Sequence, residues 1–212
     1  MTAKDWPGAE QWVPEHADHD ALSAAVQRCR GCDLYENAIQ AVMGQGPPHA
    51  RVMMVGEQPG DQEDQAGQPF VGPAGKLLVR AITEAGLDPT TIYRTNVVKH
   101  FRFTMPSGTR RIHKSPAGWQ VRACVPWFHA ELADVRPSTV VLLGATAAKA
   151  VLGTDFSVTQ RRGELLTWPD RLPLDEPPER LLATVHPSSV LRSNDHDADF
   201  AALVDDLRRV AS

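Results

Sequence analysis

The residues best suited to chemistry are three cysteines, a few histidines at the ends of apolar runs, and one carboxylate in a glycine-rich loop. Cys29 and Cys32 are separated by two residues. Two thiolates leaving one turn at that spacing reach one metal or cluster. Cys124 is the third cysteine, and His100 is the candidate for a fourth ligand. On spacing alone a zinc site, a cluster, a redox pair and plain buried thiols all stay open. A structural disulfide is not expected in a reducing compartment.

The second group is the run GEQPGDQEDQAGQPFVGPAG at 56–75, with five glycines and three prolines. Glycine lets a backbone approach a ligand closely. Glu57 is the acid at the head of this run, placed to orient a nucleophile or stabilise a cation. Phe70 sits in a stretch fixed by Gly and Pro, where its face could stack on a base. A turn-rich connection with a core Phe is the plain alternative. The third group is His186-Pro187-Ser188-Ser189, where a His at a strand end could donate to a charged leaving group. It could equally cap a helix start. A short basic run, TRRIHK at 109–114, follows a turn-like stretch at 104–108. By itself it reads as a phosphate-contacting loop with an incidental His113.

These residues need elements to position them. Four short apolar, β-branched runs read as buried parallel strands: 51–56, 92–98, 139–144 and 181–186. Helical spacing is found at 17–28, 74–85, 116–135, 145–152 and 199–210. Alternating strands and helices predict an α/β three-layer sandwich, with a central, mainly parallel four-stranded sheet flanked by helices. Residues 164–168 read as an antiparallel edge to it, and 169–178 as a Pro-rich surface loop. In such sheets the functional loops lie beyond the carboxyl ends of the strands. The GEQPG loop, Asn96, His100 and the HPSSVLR segment at 186–192 all fall there.

The chain has 212 residues, enough for one well-buried domain and short for two. Residues 1–15 are polar and read as a loose arm, with a single domain over 16–212. They show no basic segment followed by an apolar core, so no secretory signal is read and a cytoplasmic location is expected. No apolar run approaches the roughly 18 residues of a membrane span. The net charge of −4 does not announce a nucleic-acid binder, but its distribution points that way. Residues 89–130 contain no Asp or Glu and hold Arg94, Lys99, Arg102, Arg110, Arg111, Lys114 and Arg122. An acidic body with one basic segment suits a face that meets phosphates. A solvated basic loop is the bland reading.

Taken in order, GEQPGDQED…GQPFVGPAG, TNVVKHFRF, RRIHK, VVLLGATAAKAVLG and HPSSVLR resemble the uracil-DNA glycosylase superfamily. The resemblance runs from CRGC at Cys29 to the last helix. It is closest to the iron–sulfur family four and, through RRIHK, to the UdgX-type enzymes beside it. Such enzymes extrude uracil from the stack into a pocket. The resemblance implies that Phe70 stacks on the base, Asn96 reads its edge, and His186 stabilises the departing uracilate. It implies that His113 attacks C1′ of the sugar and stays joined to the DNA, with Glu57 orienting or deprotonating it. Gln58 would line the pocket, Ser188 would contact substrate, and Arg111 would hold the loop and the phosphates. It further implies a 4Fe–4S cluster on Cys29, Cys32, His100 and Cys124, with a structural role. The expected partner is uracil-containing DNA, single-stranded or double-stranded, bound by a monomer with no membrane contact. The UdgX motif begins with Lys where this chain has Thr109. Two other readings stand beside this one: a turning-over glycosylase with water as nucleophile, and a non-catalytic DNA-binding module built on zinc.

Overall fold

The structure, a computed structural model, describes residues 6–106, 108 and 110–211. Thr109, the departure within the basic run, lies outside the described residues. Seven strands are found among them: β1 (Val52–Gly56), β2 (Ile92–Asn96), β3 (Phe103–Thr104), β4 (Ile112–His113), β5 (Thr139–Leu143), β6 (Leu165–Leu166) and β7 (Arg180–Thr184). The helices are α1 (His19–Val26), α2 (Asp61–Ala66), α3 (Pro73–Glu84), α4 (Gly118–Val135), α5 (Ala145–Leu152), α6 (Val158–Arg161), α7 (Pro187–Val190) and α8 (His196–Arg208). The main sheet has the order β2-β1-β5-β7-β6. The four strands expected from sequence are parallel to one another. β6, from the stretch read as an edge, adds a fifth strand antiparallel to β7.

Alternation along each strand decides which face a side chain serves. Met53, Val55, Val140 and Leu142 pack in a cluster with residues of α1, α4 and α5. Met54, Val141, Leu143 and Leu182 face the other way, onto α3 and α8. The sheet is therefore sandwiched between two helical layers. Leu78, Ile82, Leu203 and Leu207, on α3 and α8, are fully buried. Each such side chain contributes about 1.5–3 kcal/mol of transfer free energy.

Two expectations change. The arm over 1–15 is docked across part of its described length. The Gly8 N–H donates to Gly31 O (3.1 Å), the Ala9 N–H donates to Ala123 O (2.9 Å), and Ala9 is buried. A small side chain and satisfied backbone donors let this segment lie flat against α4. The basic run also has unexpected order: β3 and β4 pair as a two-residue antiparallel hairpin, Phe103 opposite His113 and Thr104 opposite Ile112. No helix among the described residues is long and apolar enough to cross a membrane.

Candidate active site

Strand order locates the crevice. The chain leaves β1 for β2 on one side, and leaves β5 for β7 on the other. Loops leaving β1 and β5 therefore part at the sheet's carboxyl edge, the usual place for a ligand. Glu57 follows β1, and Thr146 lies in the first turn of α5, just after β5. The Thr146 hydroxyl donates to Glu57 Oε2 across the gap.

Gly56, the last residue of β1, makes room for the other residues of the crevice. A Cβ there would stand 2.4 Å from Asn96 Oδ1 and 2.9 Å from the Phe70 ring. Asn96, the last residue of β2, is buried and pairs in register with Gly56. Phe70 adopts φ +58°, a left-handed conformation that non-glycine residues rarely take. At Gly75 a Cβ would meet Phe70 O at 1.8 Å, so only glycine lets α3 begin beneath this loop. Such strain persists where the surroundings over-determine it, and it gathers at binding sites.

His186 follows β7 and caps α7. Its Nδ1 lies 3.1 Å from the Ser188 backbone nitrogen and 2.8 Å from Ser188 Oγ. A backbone N–H can only donate, so Nδ1 accepts and the neutral ring carries its proton on Nε2. Burial pushes the pKa of His186 down to about 4 against the opposing charge of Glu57, and His113 and Arg192 push the same way. The ring is therefore a neutral donor near pH 7. It lies nearly parallel to Phe70, at 27° with centroids 6.5 Å apart.

His113, on β4, brings Nε2 to 3.4 Å from Glu57 Oε1, and its side chain is 48% exposed. It can therefore meet a macromolecule while keeping its carboxylate partner. Burial works to raise the pKa of Glu57. Hydrogen bonds from His113 and Thr146, with the charges of His113 and His186, outweigh that and hold it below its ordinary value. An ionised Glu57 that accepts one imidazole proton leaves the lone pair of the other ring nitrogen free. That arrangement suits a nucleophile or a general base.

The residues around His113 hold the hairpin in place. The Gln58 side chain accepts from the Arg102 N–H (3.1 Å) and donates to Arg102 O (3.1 Å) and Lys114 O (3.2 Å). Beyond the pocket-lining place expected for it, its amide clamps the base of the hairpin. Arg111 forms ion pairs of 2.5 Å with both Asp61 and Asp64 on α2, and covers the rings of Phe101 and Phe103. With its guanidinium committed to two carboxylates, it ties the hairpin to α2 and is not presented to phosphates. Lys99 also leaves the expected basic face: it is fully buried and paired with Glu131 at 2.5 Å. Arg110, Lys114 and Arg122 remain exposed. Sequence reasoning missed Thr146, Asp61 and Asp64. A Thr or an Asp in a first helical turn reads as ordinary capping, and only the three-dimensional partner shows otherwise.

Behind the crevice, Cys29, Cys32, His100 and Cys124 line one small cavity with Ala9, Gly31 and Ala123. The Trp127 indole N–H donates to Cys29 Sγ and the Lys99 backbone N–H to Cys124 Sγ, each at 3.3 Å. Burial pushes the Cys32 thiol up to about 11 and the Cys124 thiol up to about 12, with the neighbouring cysteines adding to both. Burial, then the charge of Arg30, pushes His100 down to about 4. Among the described residues, no group of three or more His, Cys, Asp or Glu is arranged to hold a metal ion.

Comparison with known proteins gives the family. The family described as the Uracil DNA glycosylase superfamily matches residues 43–208. The type-4 uracil-DNA glycosylase of Thermotoga maritima is 32% identical over 179 residues, covering 84% of this chain and 85% of that protein. That of Sulfurisphaera tokodaii is 34% identical, with 81% and 75% covered. That of Pyrobaculum aerophilum is 32% identical, with 82% and 85% covered.

Proposed function

This chain belongs to the uracil-DNA glycosylase superfamily, and on that premise we propose that it excises uracil from DNA and then stays joined to the DNA through His113. The observation that carries the second half is the Glu57–His113 pair at the mouth of the crevice bounded by Asn96, Phe70 and His186.

The nucleotide is extruded into the crevice, since the glycosidic bond is out of reach within a stack. Phe70 offers its face to the base. The Asn96 amide, donor and acceptor together, pairs with the uracil edge. As the N–C1′ bond breaks, its electron pair leaves with the uracil ring. The Nε2–H of His186 donates to the oxygen on which that charge grows, and Ser188 fixes the tautomer that makes this donation available. A neutral donor aimed at developing charge is worth about 10²–10³ in rate. The sugar becomes oxocarbenium-like, as in glycoside cleavage. The lone pair of His113 then forms a new N–C1′ bond, and its ring proton passes to Glu57. No second step releases the enzyme, so each molecule acts once. The substrate is uracil-containing DNA, single-stranded DNA giving the easiest extrusion.

Cys29, Cys32, His100 and Cys124 suit a 4Fe–4S cluster. Three soft sulfurs and an imidazole converge on one cavity, and two of the sulfurs already accept N–H bonds, a usual way of tuning such ligands. Thiols held neutral by burial ionise when a positive centre binds between them. When bound, a cluster supplies a structural tie between the exit of α1, the exit of β2 and α4.

The test is a fluorescent single-stranded oligonucleotide carrying one deoxyuridine, incubated with protein, heated in SDS and run on a denaturing gel. A retarded, heat-stable band with deoxyuridine and none with thymidine is the expected result. Released uracil without that band would transfer the attack to water. Neither release nor band would remove the glycosylase reading itself.

A further inference from the structure

Lys99 and Glu131 are fully buried and joined at 2.5 Å, yet neither has a part in the reaction above. Replacing a buried pair by apolar residues is often neutral or stabilising, so its presence needs a reason other than stability. The partners supply one. Lys99 Nζ uses all three donors: on Glu131 Oε2, on Thr95 Oγ1 at 2.8 Å, and on the backbone carbonyl of Asn96 at 2.7 Å. Glu131 also accepts from the Gly44 N–H (2.8 Å), the Tyr93 hydroxyl (3.0 Å) and Thr95 Oγ1 (2.9 Å). Every polar atom of the pair is therefore satisfied, and the network ends on the residue assigned to read the base.

We propose that the Lys99–Glu131 pair is a positioning device that fixes the backbone at Asn96, and through it the Asn96 amide, against uracil. The inference rests on Asn96 as the base reader. β2 ends at Asn96, and the next residue's N–H returns to Gly56 O at 3.0 Å. The Asn96 carbonyl points the other way, onto Lys99. Those two bonds hold the peptide plane on which the side-chain rotamer depends. On the other side any side chain at position 56 would collide with the Asn96 amide, so glycine keeps that space open for it. The same lysine's backbone N–H lies on Cys124 Sγ, and Glu131 lies two turns along α4 from Cys124. One ion pair thus spans the cysteine-lined wall and the base-reading wall.

The test pairs Lys99→Met with Glu131→Gln. The glutamine oxygen keeps an acceptor for Gly44, Tyr93 and Thr95, no charge is left unpaired, and the lysine's donors to Glu131, Thr95 and the Asn96 carbonyl are lost together. Wild type, this double variant and Asn96→Ala are compared for melting temperature, half-saturating DNA concentration and single-turnover uracil release at saturating protein. The double variant should melt and bind DNA like wild type while releasing uracil about tenfold or more slowly, a misplacement effect. A merely structural pair would move the melting temperature and leave saturated release unchanged. Release within about twofold of wild type, with Asn96→Ala slow, would overturn the proposal. Unimpaired release by Asn96→Ala would overturn it too, but by removing Asn96 as the reader. If Lys99→Met/Glu131→Gln does not fold, Lys99→Gln/Glu131→Gln carries the same prediction, its shorter side chain falling short of the Asn96 carbonyl.

Discussion

The wall proposed to read the base and the hairpin that carries His113 meet at Glu57 but are held by different means. Asn96, Phe70 and His186 sit at strand ends or in a strained loop, beside glycines at positions where any side chain would collide with them. Behind Asn96 lies a buried ion pair with every polar atom satisfied. The hairpin has two-residue strands, and its His113, the proposed nucleophile, is half exposed. Its order comes from Gln58 at its base and from Arg111 pinned to α2. On the proposed reading, the difference teaches that excision is built into the sheet, whereas capture depends on a clamped appendage. The two should therefore be separable by substitution.

The largest effect is expected at the appendage. His113→Ala should abolish the heat-stable adduct on a denaturing gel while uracil is still released, because nothing on the sheet has moved. Loss of release in a folded His113→Ala protein would break the comparison. The opposite wall comes next. His186→Ala should slow uracil release by about 10²–10³-fold, the usual cost of removing one donor to developing charge. Adduct formation, read from the same reaction, should fall with it.

A smaller effect is expected at the clamp. Gln58→Ala removes three hydrogen bonds from the hairpin base, each worth about 1 kcal/mol. Adduct should form about tenfold more slowly while release at saturating protein is unchanged. The smallest effect concerns pH. His186 is pushed down to about 4. A base with a lowered pKa stays neutral until the pH falls to that value. Release in the His113→Ala background should therefore be flat from about pH 5 to 8, where an ordinary imidazole titrates. A step near pH 6.5 would show that His186 is not held neutral.

The sheet was legible because its strands are short, apolar and β-branched. Each of the four parallel strands was placed within two residues, and the helix at 145–152 coincides with α5. The positions of the proposed site residues were legible where motif and strand end coincide, as at Glu57, Asn96 and His186. The hairpin was not, because TRRIHK has no apolar alternation. Its strand geometry is imposed by Gln58 and by Asp61 and Asp64, residues more than forty positions away in the chain. Lys99 was misread for a related reason. Counting charge along a segment treats every lysine as exposed, and the partner that buries this one is 32 residues later on α4. Glu131 itself looked like one acid among many on a helix. Ala9 shows the reverse: a polar, Pro-containing terminus reads as loose, yet one small side chain and two backbone donors are enough to dock it.

The most direct test of the account is to locate the bond. The adduct with a deoxyuridine oligonucleotide would be digested with trypsin and nuclease and read by tandem mass spectrometry. The account predicts the sugar remnant on the imidazole of His113, within the short peptide that trypsin cuts after Arg111 and Lys114. A remnant on another residue, or free abasic DNA with His113 unmodified, would contradict it.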